Sequence, residues 1–431
     1  MRTFVRRVLA LVTVLCCVGV LGGQSATAAS VPATFTLSGS GFGHGVGMPQ
    51  YGAYAQALAA RPPSTILKSY YTGVSIQWRT TPTTLAVQVF GPEPYGYAPG
   101  RYSDERTSTR LTVSGGSWRL RSSGGATLAS GSGTTSLAVS SSSAGLAVTV
   151  GGRTYSGKLL RLHWSGTRYY AAGGPAALVR IDGAAGVYRH GRMTMQAIGG
   201  KVNVVNDVLL NTEYLYGVAE MPSSWGSKTT GALSVQAIAA RSYAMTKPWN
   251  NRCGCNVVDD VRDQVFTGWS KENEGTSGSW GKLWKKGVDA TNRSSSEAIV
   301  MTYGGKPVAA HYFSSSGGRT ENSEAVWTSA IPYERGVADP WTAQAPGNSY
   351  ASWTRTITQA KAAALFGLPD VATIAVTARH GGGTMRTVTA TSSNGTVKSL
   401  TGSSDSLRSK IGAATSTGSL PSAWVRGISA S

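Results

Sequence analysis

Between Thr81 and Gly183 apolar residues recur at every second position in short runs: Leu85-Val87-Val89, Leu111-Val113, Trp118-Leu120, Leu137-Val139, Leu146-Val148-Val150 and Leu160-Leu162-Trp164. Clusters of Gly and Ser separate them. Alternation of period two between turn-forming residues predicts antiparallel strands with one face buried. On either side the texture differs. GAYAQALAA, within residues 52–60, is Ala-rich and predicts a helix that Arg61-Pro62-Pro63 stops. KVNVVNDVLL, from Lys201, predicts a strand, and TEYLYGV a short helix capped by Asn211 or Thr212. The stretch from Gly231 to Thr246 is rich in Ala, the best helix former. On that helix Gln236, Ala240 and Tyr243 share one face, and Leu233, Ala237 and Ala244 share another, assigned to the core. A further helix is expected near Lys282–Thr291. The remainder reads as strands and loops, which makes the chain α+β.

The start of the chain has a different pattern. Arg2, Arg6 and Arg7 precede an apolar run from Val8 to about Leu21, and a small-residue site follows at Ala26-Thr27-Ala28. This order describes a secretory signal peptide over residues 1–29. The apolar run is short for a membrane span, which needs about 20 residues. Leu15 before Cys16 does not fit a lipoprotein site. No later stretch is long and apolar enough to span a bilayer, so a secreted protein is expected.

Composition narrows the class. The 431 residues hold 40 Lys and Arg against 20 Asp and Glu, a net charge of +20, yet only 14% are charged. That excludes a coiled coil and a highly charged disordered chain. Three arginines lie in the export segment, so its removal lowers +20 to +17. A basic exported protein meets anionic wall polymers, glycans or lipid headgroups rather than nucleic acid, for which no motif is present. Cys253 and Cys255 are the cysteines outside that segment. A disulfide is the default in an oxidising compartment, and half of a metal site is the alternative.

Four ordered blocks carry chemistry: GFGHGVGMPQYGAYAQA at Gly41–Ala57, EYLYGVAEMPSSW followed by ALSVQAIAARSYA, DQVFTGW at Asp263–Trp269, and HYFSSSGGRTENSEAVW at His311–Trp327. ILKSYYTGV near Tyr70 and SLRSKIG near Arg408 are weaker echoes. Together these resemble the SpoIID/LytB family, the stage II sporulation protein D and amidase-enhancer group of exported wall proteins. The match leaves out the β-rich region. The implied organisation is a GHGVGM segment at 30–80 packing on a SpoIID-like domain at 186–431, with a β-rich module at 81–185 inserted between them. The GHGVGM block precedes the Glu block here, whereas in sporulation members it follows.

The resemblance implies binding to peptidoglycan glycan strands. It further implies either lytic transglycosylase activity or non-catalytic enhancement of a partner cell-wall amidase. The family's catalytic glutamate falls on Glu220. A lytic transglycosylase needs one carboxyl group, because the substrate's own C6 hydroxyl is the nucleophile. Ala219, Met221, Pro222 and Trp225 are apolar neighbours of the kind that raise a carboxyl pKa. The alternative is a helix-terminal acid with no chemistry. His44 reads either as a sugar contact or as a residue pinning its glycine loop. Gln50 lies in the same block. Gln236, Arg241 and Tyr243 read as sugar ligands or as a solvated face. Ser314, Ser315, Ser316, Thr320 and Glu321 read as a cleft-lining loop; no G-x-S-x-G elbow supports a serine nucleophile. VVDDVRDQVF lacks the Cys and His with which some members hold zinc, so no metal or cofactor is expected.

Overall fold

The computed structural model describes residues 31–98 and 104–431. The expected signal peptide lies outside the described residues. Among the described residues no helix is long and apolar enough to cross a membrane.

The alternating runs fold as a β-sandwich. One sheet takes the strands Arg153–Gly157, Gly145–Val150, Thr135–Ser142, Ser108–Ser114, Leu178–Ile181 and Val187–Tyr188 in that spatial order. The facing sheet has seven strands, ordered Val257–Val258, Thr84–Phe90, Lys201–Leu209, Met193–Ile198, Leu159–Trp164, Ser117–Ser122 and Thr127–Ser132. Leu111, Val113, Leu137, Val139, Leu146 and Val148 from the first are buried, as are Trp118, Leu120, Leu160, Leu162, Met193 and Met195 from the second. Their alternation along each strand supplies the inward faces of a two-sheet core.

The seven-stranded sheet does not stop at the expected boundary after residue 185. Thr84–Phe90 pairs antiparallel with Lys201–Leu209 and parallel with Val257–Val258. The sandwich therefore grows out of a sheet that continues into the following region. Lys201–Leu209 is buried almost continuously, with Val202, Val204, Val205 and Val208 all enclosed. That pattern belongs to a strand covered on both faces.

Behind the sheet lies a helical layer. Helices span Gln50–Leu58, Pro63–Tyr70, Gly231–Met245 and Ser279–Asp289. The Pro pair does end the first helix, but Pro63 then opens a second. Proline is tolerated at the first helical position because that N–H has no partner to lose. Gly231–Met245 is buried on nearly every side rather than along one stripe. Its alanines and serines allow close approach, as do its neighbours' glycines: a Cβ on Gly287 would sit 2.5 Å from the Leu233 Cβ. The expected helix at TEYLYGV begins as a π turn, Leu210–Tyr214, and closes with one α turn, Leu215–Gly217.

A second, smaller core was not legible in the sequence. The strand Thr34–Gly39 lies between Trp353–Thr358 and Val425–Ala430. The helices Gln359–Phe366 and Ser404–Ala414 and a meander of Thr373–Arg379, Met385–Thr391 and Val397–Thr401 complete it. Thr358 and Ser403 cap the two helices with their hydroxyls. Cys253 and Cys255 form a disulfide and are buried beside Ala86 and Val205.

Candidate functional site

The glycine loop comes first, because it forms one wall. Gly41, Gly43, Gly45 and Gly47 all have positive φ. Gly47 is the most constrained: at φ +74 a Cβ would lie 2.0 Å from the His311 carbonyl oxygen. This close approach lets Met48–Pro49 pair in parallel with Tyr312–Phe313, and Val46 bridge to Glu321. The first block is thereby laid beside the fourth.

Between these blocks opens a cleft of about 840 Å³. Its lining includes His44, Gln50 and Tyr51 from the first block, Glu220, Trp225 and Tyr243 from the second, Asp263 from the third, and His311, Tyr312, Ser314 and Trp327 from the fourth. Asp405 and Arg408 reach it from the helix Ser404–Ala414 of the smaller core. Segments far apart in the chain thus meet on one concavity.

Glu220 is fixed at two points. Its Oε1 accepts from the Val265 N–H at 2.6 Å, and its carbonyl oxygen accepts from Gln50 Nε2 at 2.9 Å. Just after it, Lys271 Nζ donates to the Met221 carbonyl at 2.7 Å. Oε2 has no hydrogen-bond partner among the described residues, on a side chain that lines the cleft. Burial raises the carboxyl pKa; the Val265 N–H and Lys271 oppose this without cancelling it.

Of the other carboxylates in the cleft, Asp263 is committed and Asp405 is held only by one long pair. Asp263 is fully enclosed, with Oδ1 taking Tyr243 Oη at 3.0 Å and Lys247 Nζ at 2.7 Å. Its Oδ2 takes the Val258 N–H at 2.9 Å and Tyr95 Oη at 2.5 Å. Asp405 is exposed and pairs with Arg408 at 3.4 Å.

His44 pins the loop. Its Nδ1 accepts from the Val46 N–H at 3.0 Å, so Nε2 carries the proton that is donated to the Tyr312 carbonyl at 3.1 Å. Burial, His311 and Arg408 hold its pKa down to about 3, and the ring stays neutral. Both nitrogens are used, which leaves its ring surface for contact, 5.2 Å from Trp327. His311 is oriented by the buried Glu334, which accepts from Nδ1 at 2.9 Å and from the His311 backbone N–H at 3.0 Å. Its ring lies 4.7 Å from Trp327 and 5.6 Å from Tyr243. Tyr51 and Tyr54 flank Trp225, the latter stacked at 4.3 Å.

Several residues expected to touch a sugar lie behind the wall instead. Gln236 is buried and receives Gln50 Nε2 at 3.2 Å. Arg241 is buried too, donating to Asn211 Oδ1, the Ile299 carbonyl and Thr291 Oγ1, each at 3.0 Å. Burial lowers its pKa to about 9. Ser315 accepts from Asn348 Nδ2, Ser316 donates to Asp339, and Thr320 accepts from the Val337 N–H. Glu321 is enclosed and accepts from the Gly382 N–H and from Thr384 Oγ1, both at 2.7 Å. These side chains hold the loops in place. Sequence reasoning missed His311 with Glu334, the stacking face of Trp327, and Asp405. The first depends on a partner 23 residues away, the third on a helix from the smaller core, while Trp327 closes a block already singled out.

Residues 198–303 match the family model described as SpoIID, stage II sporulation protein. That span holds Glu220, its Val265 donor and the buried helix. The chain carries a SpoIID/LytB family domain. Over 156 residues it is 35% identical to stage II sporulation protein D of Bacillus subtilis (strain 168), covering 35% of this chain and 43% of that protein. The protein of the same name from Bacillus amyloliquefaciens is 36% identical over 141 residues, 31% of this chain and 40% of that one. An amidase enhancer of Bacillus subtilis (strain 168) is 36% identical over 129 residues, 28% of this chain and 15% of that one. The matches thus span less than half the length of these relatives. The His44 and Trp327 walls of the cleft lie outside the segment matched by the family model.

Proposed function

We propose that this protein acts on the bacterial cell wall as a peptidoglycan lytic transglycosylase, with Glu220 as its one catalytic carboxyl group. Similarity to a stage II sporulation protein D and to an amidase enhancer supports a cell-wall role. The observation that carries the finer reading is the state of the cleft's carboxyls. Glu220 has one oxygen free and a raised pKa, whereas Asp263 is saturated by four donors. A hydrolase working through two carboxyl groups needs a second one across the bond, and the remaining lining carboxylate, Asp405, is exposed to solvent and paired with Arg408. An internal nucleophile removes that need.

In this reading protonated Glu220 gives its proton to the glycosidic oxygen as the bond from that oxygen to C1 breaks. The resulting carboxylate then takes the proton of the C6 hydroxyl as O6 bonds to C1. The product carries a 1,6-anhydro ring, and no water is consumed. Burial favours the protonated acid of the first half, and the Val265 N–H favours the carboxylate of the second. Tyr51, Trp225, Trp327 and the His44 ring supply apolar faces for sugar rings, and Gln50 fixes the Glu220 backbone.

The test is mass spectrometry of products from purified sacculi and from peptide-free glycan strands. Anhydro-sugar ends released by the wild type support the reading. Binding without cleavage, together with stimulation of a cell-wall amidase, would replace it with the enhancer role.

A further inference from the structure

We propose that the chain has a second ligand site, a phosphate-recognising pocket formed by Arg319, Arg379, Arg426 and Ser40. It goes beyond the cleft reading and does not depend on it. The pocket encloses about 490 Å³ and is lined by these four residues with Gly317, Gly318, Gly382, Gly383, Trp424 and Val425. The three guanidinium groups come from three separate segments: the loop after the Ser314–Ser316 run, the end of the strand Thr373–Arg379, and the strand Val425–Ala430. No carboxylate is among the lining residues.

The donors are largely uncommitted. Arg379 gives Nη1 to the Gly383 carbonyl at 2.9 Å, and Arg319 gives Nη2 to the Gly336 carbonyl at 3.4 Å. Arg426 makes no hydrogen bond or ion pair among the described residues. Each guanidinium has five N–H donors, so at least four remain on each. Glu321, the carboxylate beneath Gly382, is occupied by the Gly382 N–H and Thr384 Oγ1 and holds the glycine loop in place.

Ser40 is the second and independent sign. The residue is 2% exposed, and its Oγ is buried with no hydrogen-bond partner. Its backbone is fully used: the N–H donates to the Trp424 carbonyl, and the carbonyl accepts from Ser422 Oγ. A buried hydroxyl without a partner costs free energy unless a ligand or water completes it. Ser40 lines the same pocket as the three exposed arginines.

The geometry favours phosphate over carboxylate. Guanidinium binds both, but a planar carboxylate offers two oxygens, whereas donors arriving from three segments and a floor suit a tetrahedral anion. An open pocket on a chain of net charge +20 fits the phosphodiester groups of an anionic wall polymer. Trp424 forms the partition with the main cleft, since its ring stacks on Phe313 at 6.0 Å and Phe313 lines that cleft.

The experiment is equilibrium binding of the exported chain to polyglycerol phosphate, with inorganic phosphate and a carboxylate-bearing muropeptide as competitors. Polymer binding is expected, with displacement by phosphate and weakening as salt rises. The variant Arg319→Gln with Arg379→Gln and Arg426→Gln should bind at least tenfold more weakly. A control that removes the same charge elsewhere, Lys282→Gln with Lys286→Gln and Lys306→Gln, should bind within twofold of wild type. Ser40→Ala should weaken binding without lowering the melting temperature. Glu220→Gln should bind the polymer normally, which keeps this result separate from the cleft chemistry. The proposal is overturned if the arginine variant binds normally, if the lysine control falls as far, or if the muropeptide competes as well as phosphate.

Discussion

Replacing Glu220 by Gln separates proton transfer from every other role of that side chain. The amide keeps the shape, and its oxygen can still accept from the Val265 N–H now held at 2.6 Å. It cannot protonate a glycosidic oxygen. General acid–base catalysis contributes about 100- to 10,000-fold, so anhydro-product release should fall by at least about 100-fold, equivalent to about 2.7 kcal/mol in the barrier. Stability should move the other way. The folded pKa lies above the unfolded one, so the native state binds more protons between the two values. Wild-type stability therefore falls as pH rises from about 4.5 through the folded pKa, by at most about 1.4 kcal/mol per pH unit. Below pH 4 both states are protonated and this contribution vanishes. Glu220→Gln has no such dependence and should melt higher than wild type at pH 8 and alike at pH 4. The assays are muropeptide mass spectrometry and thermal unfolding at the two pH values. Near-wild-type release would show that Glu220 is not the acid. A variant that melts lower at pH 8 would show that its charge is stabilised rather than strained.

Arg241→Ala should destabilise the fold by about 3 kcal/mol or more, because it strands three buried acceptors at about 1–3 kcal/mol each; chemical denaturation would measure it, and a stable variant with lost glycan binding would return Arg241 to the cleft. Trp327→Ala should weaken binding to peptide-free glycan strands by roughly tenfold, the loss of more than about 1 kcal/mol typical of an aromatic anchor; unchanged affinity in a sedimentation assay would remove this ring from the sugar path. Deleting residues 81–185 should give an insoluble chain, since it removes the strand between Val257–Val258 and Lys201–Leu209 and bares an apolar edge; a soluble product with a cooperative melt would establish the β-rich region as a separable module.

The sandwich was readable because six of its runs repeat the same period-two signal. The helix Gly231–Met245 was equally plain in its alanines, but its burial on all sides was not, since periodicity reports one face and cannot count neighbours. That difference misplaced Gln236 and Arg241, whose polarity serves partners inside the protein. The cleft was legible as four motif blocks, and each of them supplies lining residues. What the motifs could not convey is which polar atoms are already used. Ser315, Thr320 and Glu321 resemble ligands until their acceptors and donors are traced to Asn348, Val337 and Gly382. SLRSKIG marked the neighbourhood of Arg408, but not that Asp405 and Arg408 reach the cleft from a core whose strands pair across most of the chain.

The pairing of Thr34–Gly39 with Val425–Ala430 joins segments 397 residues apart at Thr34 and Ser431. Closing so long a ring is entropically unfavourable and slow. The glycine loop that walls the cleft follows this strand directly, and Gly43 donates to the Pro421 carbonyl. A chain emerging from its first residue onward therefore exposes that loop long before its last supports arrive. Assembly of the cleft becomes the final event of folding, and a chain stalled or clipped before about residue 420 has no working groove. Cleft assembly is in this way tied to the arrival of residues 421–430. Binding of fluorescent glycan during refolding should accordingly lag behind sandwich formation followed by far-ultraviolet circular dichroism.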